Sequence, residues 1–173
     1  TSDGVNTSLL YRNSESDKFK SILTNDFKVR VSPLLFTFDN KNLYVSSNRG
    51  RDKTAVYEFN IDKVQEGELI FEDKKVDVSD LMFSMKRKVL TGVSYNRAKR
   101  KRVFFDDWRG NIQIKLEAQL PDYEIGITSF SKDETKAIVV AYSDKSRGEY
   151  YFYNTETNKP VSYTHLTLPT KLA

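Results

Sequence analysis

Ser94 stands in the stretch Thr91–Tyr95, TGVSY, two positions after Gly92. That is the opening of a G-x-S-x-G nucleophile turn, but Asn96 occupies the position of the closing glycine. A serine nucleophile needs a sharp, glycine-flanked strand-to-helix turn to expose its hydroxyl, and Ser94 sits instead in an apolar run with the look of a strand. Asp106 and Asp107 are adjacent, so in a strand they would point to opposite sides, a poor geometry for a shared acid–base pair. A turn at a strand end is the expected role. Asp77 and Asp80 lie close in VDVSDL, yet that spacing lacks the alternating oxygen ligands and the glycine of a calcium loop. A plain turn is expected there too. Arg147, followed by Gly148, lies in a polar loop and could anchor a substrate, the default being a solvated turn. No Gly-rich nucleotide pattern occurs. The expectation is therefore no catalytic, cofactor-binding or metal-binding residue, no cofactor, and an open question as to substrate contacts.

Composition limits the partners. The 28 basic and 24 acidic residues give a formal charge of +4, and they interleave along the chain. A nucleic-acid binder concentrates its charge on one face. Only Arg97–Arg102, RAKRKR, is dense in positive charge. It could meet phosphates, but it lies between VLTGVSY and VFFDD and is expected to be the solvated tip of a hairpin, where basic residues also discourage edge pairing. No apolar run approaches the roughly 18 residues of a membrane helix. The expectation is no nucleic acid and no membrane. With no Cys there are no disulfides and no thiolate metal sites, which leaves cytoplasmic and exported locations both open. The first residues show no secretory leader and read as the interior of a longer gene.

These residues must be positioned by strands. Leu35–Asn60 laid over Ser129–Asn154 without a gap matches Phe36 to Phe130, Asp39 to Asp133, Val45 to Val139, Tyr57 to Tyr151 and Asn60 to Asn154. Each copy has an aromatic residue, an Asp turn, an apolar run, a polar loop and an aromatic-rich run. A middle copy fits, with Leu43 matched to Val89, Tyr57 to Val103, Phe59 to Phe105 and Asn60 to Asp106. The runs SLLYRN, GELIFED and NIQIKLEA fill the spaces between as further strands, and no stretch shows a helical apolar stripe. A period of about 46 residues with four short strands is the pattern of a β-propeller blade. The expected fold is all-β: a partial β-propeller over 1–160, about three four-stranded blades plus part of another. A β-sandwich or barrel is the alternative. Trp108 is expected at a blade edge.

Leu9–Lys159 resembles the N-terminal propeller of bacterial, acylaminoacyl-peptidase-like serine peptidases of the prolyl oligopeptidase family. The resemblance rests on SPLLFTFDNKNLYVSSNRGRD, on KRKVLTGVSYN followed by FFDD, and on SFSKDETKAIVVAYSDKSRGEYYFYNTETNK. It implies a propeller that limits which peptides reach the active site of a C-terminal α/β-hydrolase domain. That domain would carry Ser, Asp and His. It would be this chain's partner, and a short peptide the substrate. None of the matched segments is catalytic, so no site residue is carried over. A non-enzymatic TolB-like binding propeller shares the Asp-turn blade and is the alternative. The end stretch, 161–173, breaks from the rest of the chain. It is rich in Thr and Leu, holds the sole histidine, His165, and resembles translated sequencing-adapter DNA. It is read as a non-native tail, so His165 carries no expected role. A fragment of this kind is expected to leave its ring unclosed and its apolar blade faces open.

Overall fold

A computed structural model describes residues 4–162. Two units form. One comprises residues up to 84 together with 88–105, the other 85–87 together with residues from 106 on. The described residues are all-β apart from one helix, and the strands form four antiparallel sheets.

In the first unit, β1 (Asn6–Tyr11) and β2 (Lys20–Asp26) pair as a hairpin. Four strands follow as a meander: β3 (Val31–Phe36), β4 (Leu43–Ser47), β5 (Ala55–Asn60) and β6 (Gln65–Phe71). A three-stranded sheet completes the unit, with β7 (Asp80–Ser84), β8 (Val89–Asn96) and β9 (Arg100–Phe104). The four-stranded sheet is covered on both faces. Leu43, Val45, Tyr57 and Phe59 pack with Leu9 and Ile22 of the first hairpin. Val56 packs with Val78, Val93, Leu81 and Val103 on the other side. Cover on both faces explains why β4 and β5 read as continuous apolar runs rather than alternating ones.

In the second unit, a helix α1 (Asp107–Gln119) precedes β10 (Glu124–Phe130), β11 (Lys136–Ser143), β12 (Ser146–Asn154) and β13 (Lys159–Ser162). The helix corrects the strand expected at NIQIKLEA. Asp106 has extended backbone, and its carboxylate accepts a hydrogen bond from the Arg109 N–H at 3.0 Å, the geometry of an N-cap. The buried positions are Arg109, Ile112, Gln113 and Leu116, at helical spacing but half of them polar. Ile114 is exposed. Ile112 and Leu116 pack on Ile125, Ala137, Val139 and Tyr153 of the sheet.

The four-stranded sheets of the two units share one register. Val45 faces Tyr57 and Leu43 faces Phe59; Val139 faces Tyr151 and Ala137 faces Tyr153. The bulge between Pro33 and Leu35 recurs between Ile127 and Ser129. Both first hairpins turn on a left-handed residue, Asn40 (φ 59°) and Glu134 (φ 57°). The hydroxyls of Thr37 and Ser131 donate to Asp39 and Asp133 at 2.7 and 2.5 Å, and those carboxylates accept the N–H of Lys41 and Thr135. The aligned Asp of each copy thus has one job, closing a six-residue turn.

The middle copy departs from the expected alignment. Its hairpin, Met85–Lys88, is two residues shorter and has no Asp. Val93 and Val103 are ten residues apart in the chain where Val45 and Tyr57 are twelve, so Val93, not the expected Thr91, takes the fully buried place opposite Val103 that Val45 takes opposite Tyr57. Val89, expected at the buried place of Leu43, is 36% exposed. This sheet has three strands, and the helix follows where the other two sheets have their fourth.

The corrected register sets the cost of truncation. Val93→Ala removes two buried methyl groups and leaves a cavity, so it should lower stability by roughly 2 kcal/mol. Val89→Ala should stay within about 0.5 kcal/mol. Urea unfolding of the two variants checks this, and equal losses would reinstate the expected alignment.

Candidate functional site

The strand ends Val31, Ser47, Ala55 and Phe71 lie at one end of the first four-stranded sheet, and Asp80, Asn96 and Arg100 lie at the corresponding end of its neighbour. The loops joining them border two hollows within this unit. One, of about 500 Å³, is lined by Lys53, Lys75, Tyr95, Asn96 and Arg100. The other, of about 370 Å³, is lined by Lys28, Arg30, Asn48 and Thr54. Asp77 and Ser79 border both, so the two are contiguous.

Several residues singled out in the sequence converge here, with structural partners. Asp77 accepts the Thr54 N–H at 2.8 Å, holding the β6–β7 connection against the β4–β5 loop. The Thr54 hydroxyl and the buried Ser46 hydroxyl both donate to the Val78 carbonyl. Asp80 accepts from Ser94 at 2.8 Å and from Arg100 at 2.5 Å. Ser94 is buried in β8, and its hydroxyl donates to Asp80 and accepts from Arg100 at 2.8 Å, so it is held within a strand rather than exposed at a turn. Asp77 and Asp80 stand apart in function, each with a donor of its own. Among the described residues no cluster of His, Asp and Glu could hold a metal ion. The basic run is the β8–β9 hairpin: Arg97 turns back to Asp73 at 2.9 Å, and Arg100 to Asp80.

The remaining residues of interest lie in the second unit. Asp106 caps α1 and receives Arg87 at 2.6 Å, which holds its carboxyl below the usual range. The same guanidinium reaches Glu134 at 3.0 Å and lies 4.5 Å from the Trp108 ring centre. Asp107 is simply the first helical residue. Trp108 stands on the helix rather than at a sheet edge and contacts Phe130. The buried Gln113 donates to the Ile125 carbonyl at 3.1 Å, tying helix to sheet. These groups serve packing and capping. The side chain of Arg147 and the end stretch from residue 163, with His165, lie outside the described residues; Val161 and Ser162, the first two residues of that stretch, end β13. No helix of the described residues is long and apolar enough to cross a membrane.

Sequence reasoning missed the hollows because their lining comes from four separate loops, each an ordinary polar connection. The one available signal was charge: KVR, RGRDK, DKK and NRAKR are all basic loops following or preceding strands at the same end.

No family model, no curated protein and no solved structure matches this chain.

The Asp turns give a pH prediction. Asp133 is held down to about 2, first by the Ser131 hydroxyl and then by the Thr135 N–H. A carboxyl depressed on folding stabilises the native state above its unfolded value, near 4, and that contribution is lost as pH falls toward 2. In an NMR titration the Asp133 carboxyl should show a midpoint near 2, rising toward the ordinary value in Ser131→Ala. An unshifted midpoint in that variant would remove the hydroxyl as the main cause.

Proposed function

We propose that this chain is the substrate-admitting β-propeller portion of a serine peptidase of the prolyl oligopeptidase kind, and that it contributes no catalytic residue. One observation carries the reading. The same sheet occurs twice on one register; its second face is covered in the first unit and, among the described residues, carries exposed apolar side chains in the second. Val56 is fully buried beneath Val78 and Val93, while its counterpart Tyr150 is 51% exposed. Ile138, Phe152 and Val161 lie side by side across β11, β12 and β13 on that same face, Ile138 and Val161 both exposed. A repeated four-stranded sheet that takes a neighbour on each face fits the blade of a propeller, which supports this reading. The open face is proposed to receive the next blade of a longer protein.

The peptidase assignment draws on the likeness of Leu9–Lys159 to that family's propeller. In this reading the hydrolase domain lies in the remainder of the protein. Its Ser would attack the scissile carbonyl, its His would take the Ser proton, its Asp would orient the His, and backbone N–H groups would hold the oxyanion. The propeller would exclude folded proteins and admit short peptides.

Fluorophosphonate labelling of the full-length protein tests the chemistry. The expected label falls on a Ser outside these 173 residues, within G-x-S-x-G. A folded, full-length product that takes no label would remove the peptidase reading and leave a binding propeller. Sedimentation velocity tests the open face. Residues 1–162 alone should self-associate, and Ile138→Lys with Tyr150→Lys should reduce the association. A monomeric, cooperatively melting wild-type fragment would contradict it.

A further inference from the structure

The charge of the first unit is not evenly spread. The segments 27–30, 48–54, 72–80 and 97–100, which form the end bearing the two hollows, hold ten basic and five acidic residues. The rest of that unit's described residues hold eight of each. The whole positive excess of the unit therefore sits at one end.

The acidic groups there are already engaged. Asp52 pairs with Lys53, Glu72 with Arg51, Asp73 with Arg97 and Asp80 with Arg100. Asp77 accepts the Thr54 N–H. Lys75 in the first hollow and Arg30 in the second have no ionic partner among the described residues. The Lys28 ammonium, beside Arg30, lies 5.7 Å from the Phe27 ring centre. Across the two hollows five cations, Lys28, Arg30, Lys53, Lys75 and Arg100, stand against three engaged acids, Asp52, Asp77 and Asp80, and a concave surface with a net positive charge concentrates anionic ligands.

We propose that the two joined hollows bind acidic peptide segments, with Lys75 and Arg30 each meeting a carboxylate of the ligand. This rests on the reading of the protein as one that handles peptides, and it names which peptides it favours. Asp77 and Asp80 decide between anions. They border the groove, and the unbroken phosphate charge of a nucleic acid would run over them, at a cost in repulsion. A peptide places its carboxylates at intervals on a neutral main chain, so it can meet the cations and pass the acids. Asn96, exposed on the lining of the first hollow, offers that main chain an amide.

The test is fluorescence anisotropy of the purified protein with a fluorescein-labelled Glu-Gly repeat peptide. The Lys-Gly repeat and single-stranded oligothymidine serve as comparisons. The Glu-Gly peptide should bind saturably and the other two should not compete. Lys75→Glu and Arg30→Glu should each weaken binding about tenfold, as one like-charge contact at a rim does. Lys41→Glu makes the same charge change at the opposite end of the sheet and should leave binding unchanged. Circular dichroism confirms folding, and the two groove variants stand in for each other should one fail to fold. Absence of saturable binding, equal weakening by Lys41→Glu, or tighter binding of oligothymidine would each overturn the proposal. Fluorophosphonate labelling reads the peptidase assignment separately. An unlabelled full-length protein that still binds the acidic peptide loses the chemistry and keeps the groove. A labelled one that ignores the peptide loses only the groove.

Discussion

A β-sheet has two faces, and here the inner strands are apolar on both. That constraint organises the molecule. In β4 and β5 the apolar side chains point alternately to either side, so the sheet is stable only between two covers. The first hairpin supplies one and the three-stranded sheet the other. In the second unit a helix supplies one cover, through Ile112 and Leu116. At one end of the first unit the loops carry the charge, while Val78 of the β6–β7 connection joins the cover over Val56.

The turns do a different kind of work. Thr37 with Asp39, and Ser131 with Asp133, close equivalent hairpins by the same hydroxyl-to-carboxylate bond. Each such turn fixes the register of the strands it joins, and a slip of one residue would reverse the facing of every side chain. Where the middle copy shortens the path between its two inner strands by two residues, the buried place opposite Val103 moves by an even number of positions, from the expected Thr91 to Val93. The facing is preserved, which is why the sheet keeps its core.

Much of the fold was legible in the sequence. The Asp turns, the apolar strands and the outer copies align without a gap, since the first turn and the spacing between the paired positions of the inner strands are the same in both. The middle alignment was not legible in β8, because Val89, Leu90 and Val93 are all apolar and only pairing tells which is buried. The helix escaped notice because Arg109 and Gln113 take half of its buried positions, Gln113 with a hydrogen-bond partner on the sheet. Asp106, read as a strand-end turn, was the cap that announced it. At the candidate site, Asp77 closes no turn but reaches Thr54 from an irregular connection, Asp80 begins β7, and only Arg97–Lys99 of the basic run form the hairpin tip, Arg100–Arg102 lying in β9. The hollows between loops were invisible, since proximity of Lys28, Lys75 and Arg100 arises only once the sheets are stacked.

The most direct test of this account is the pattern of cross-strand amide contacts seen by NMR. Repeated sheets on one register predict close backbone contacts for Val45 with Tyr57, Val93 with Val103 and Val139 with Tyr151. A spectrum placing Thr91 opposite Val103, or showing unrelated pairings for Val45 and Val139, would contradict the repeat on which the rest is built.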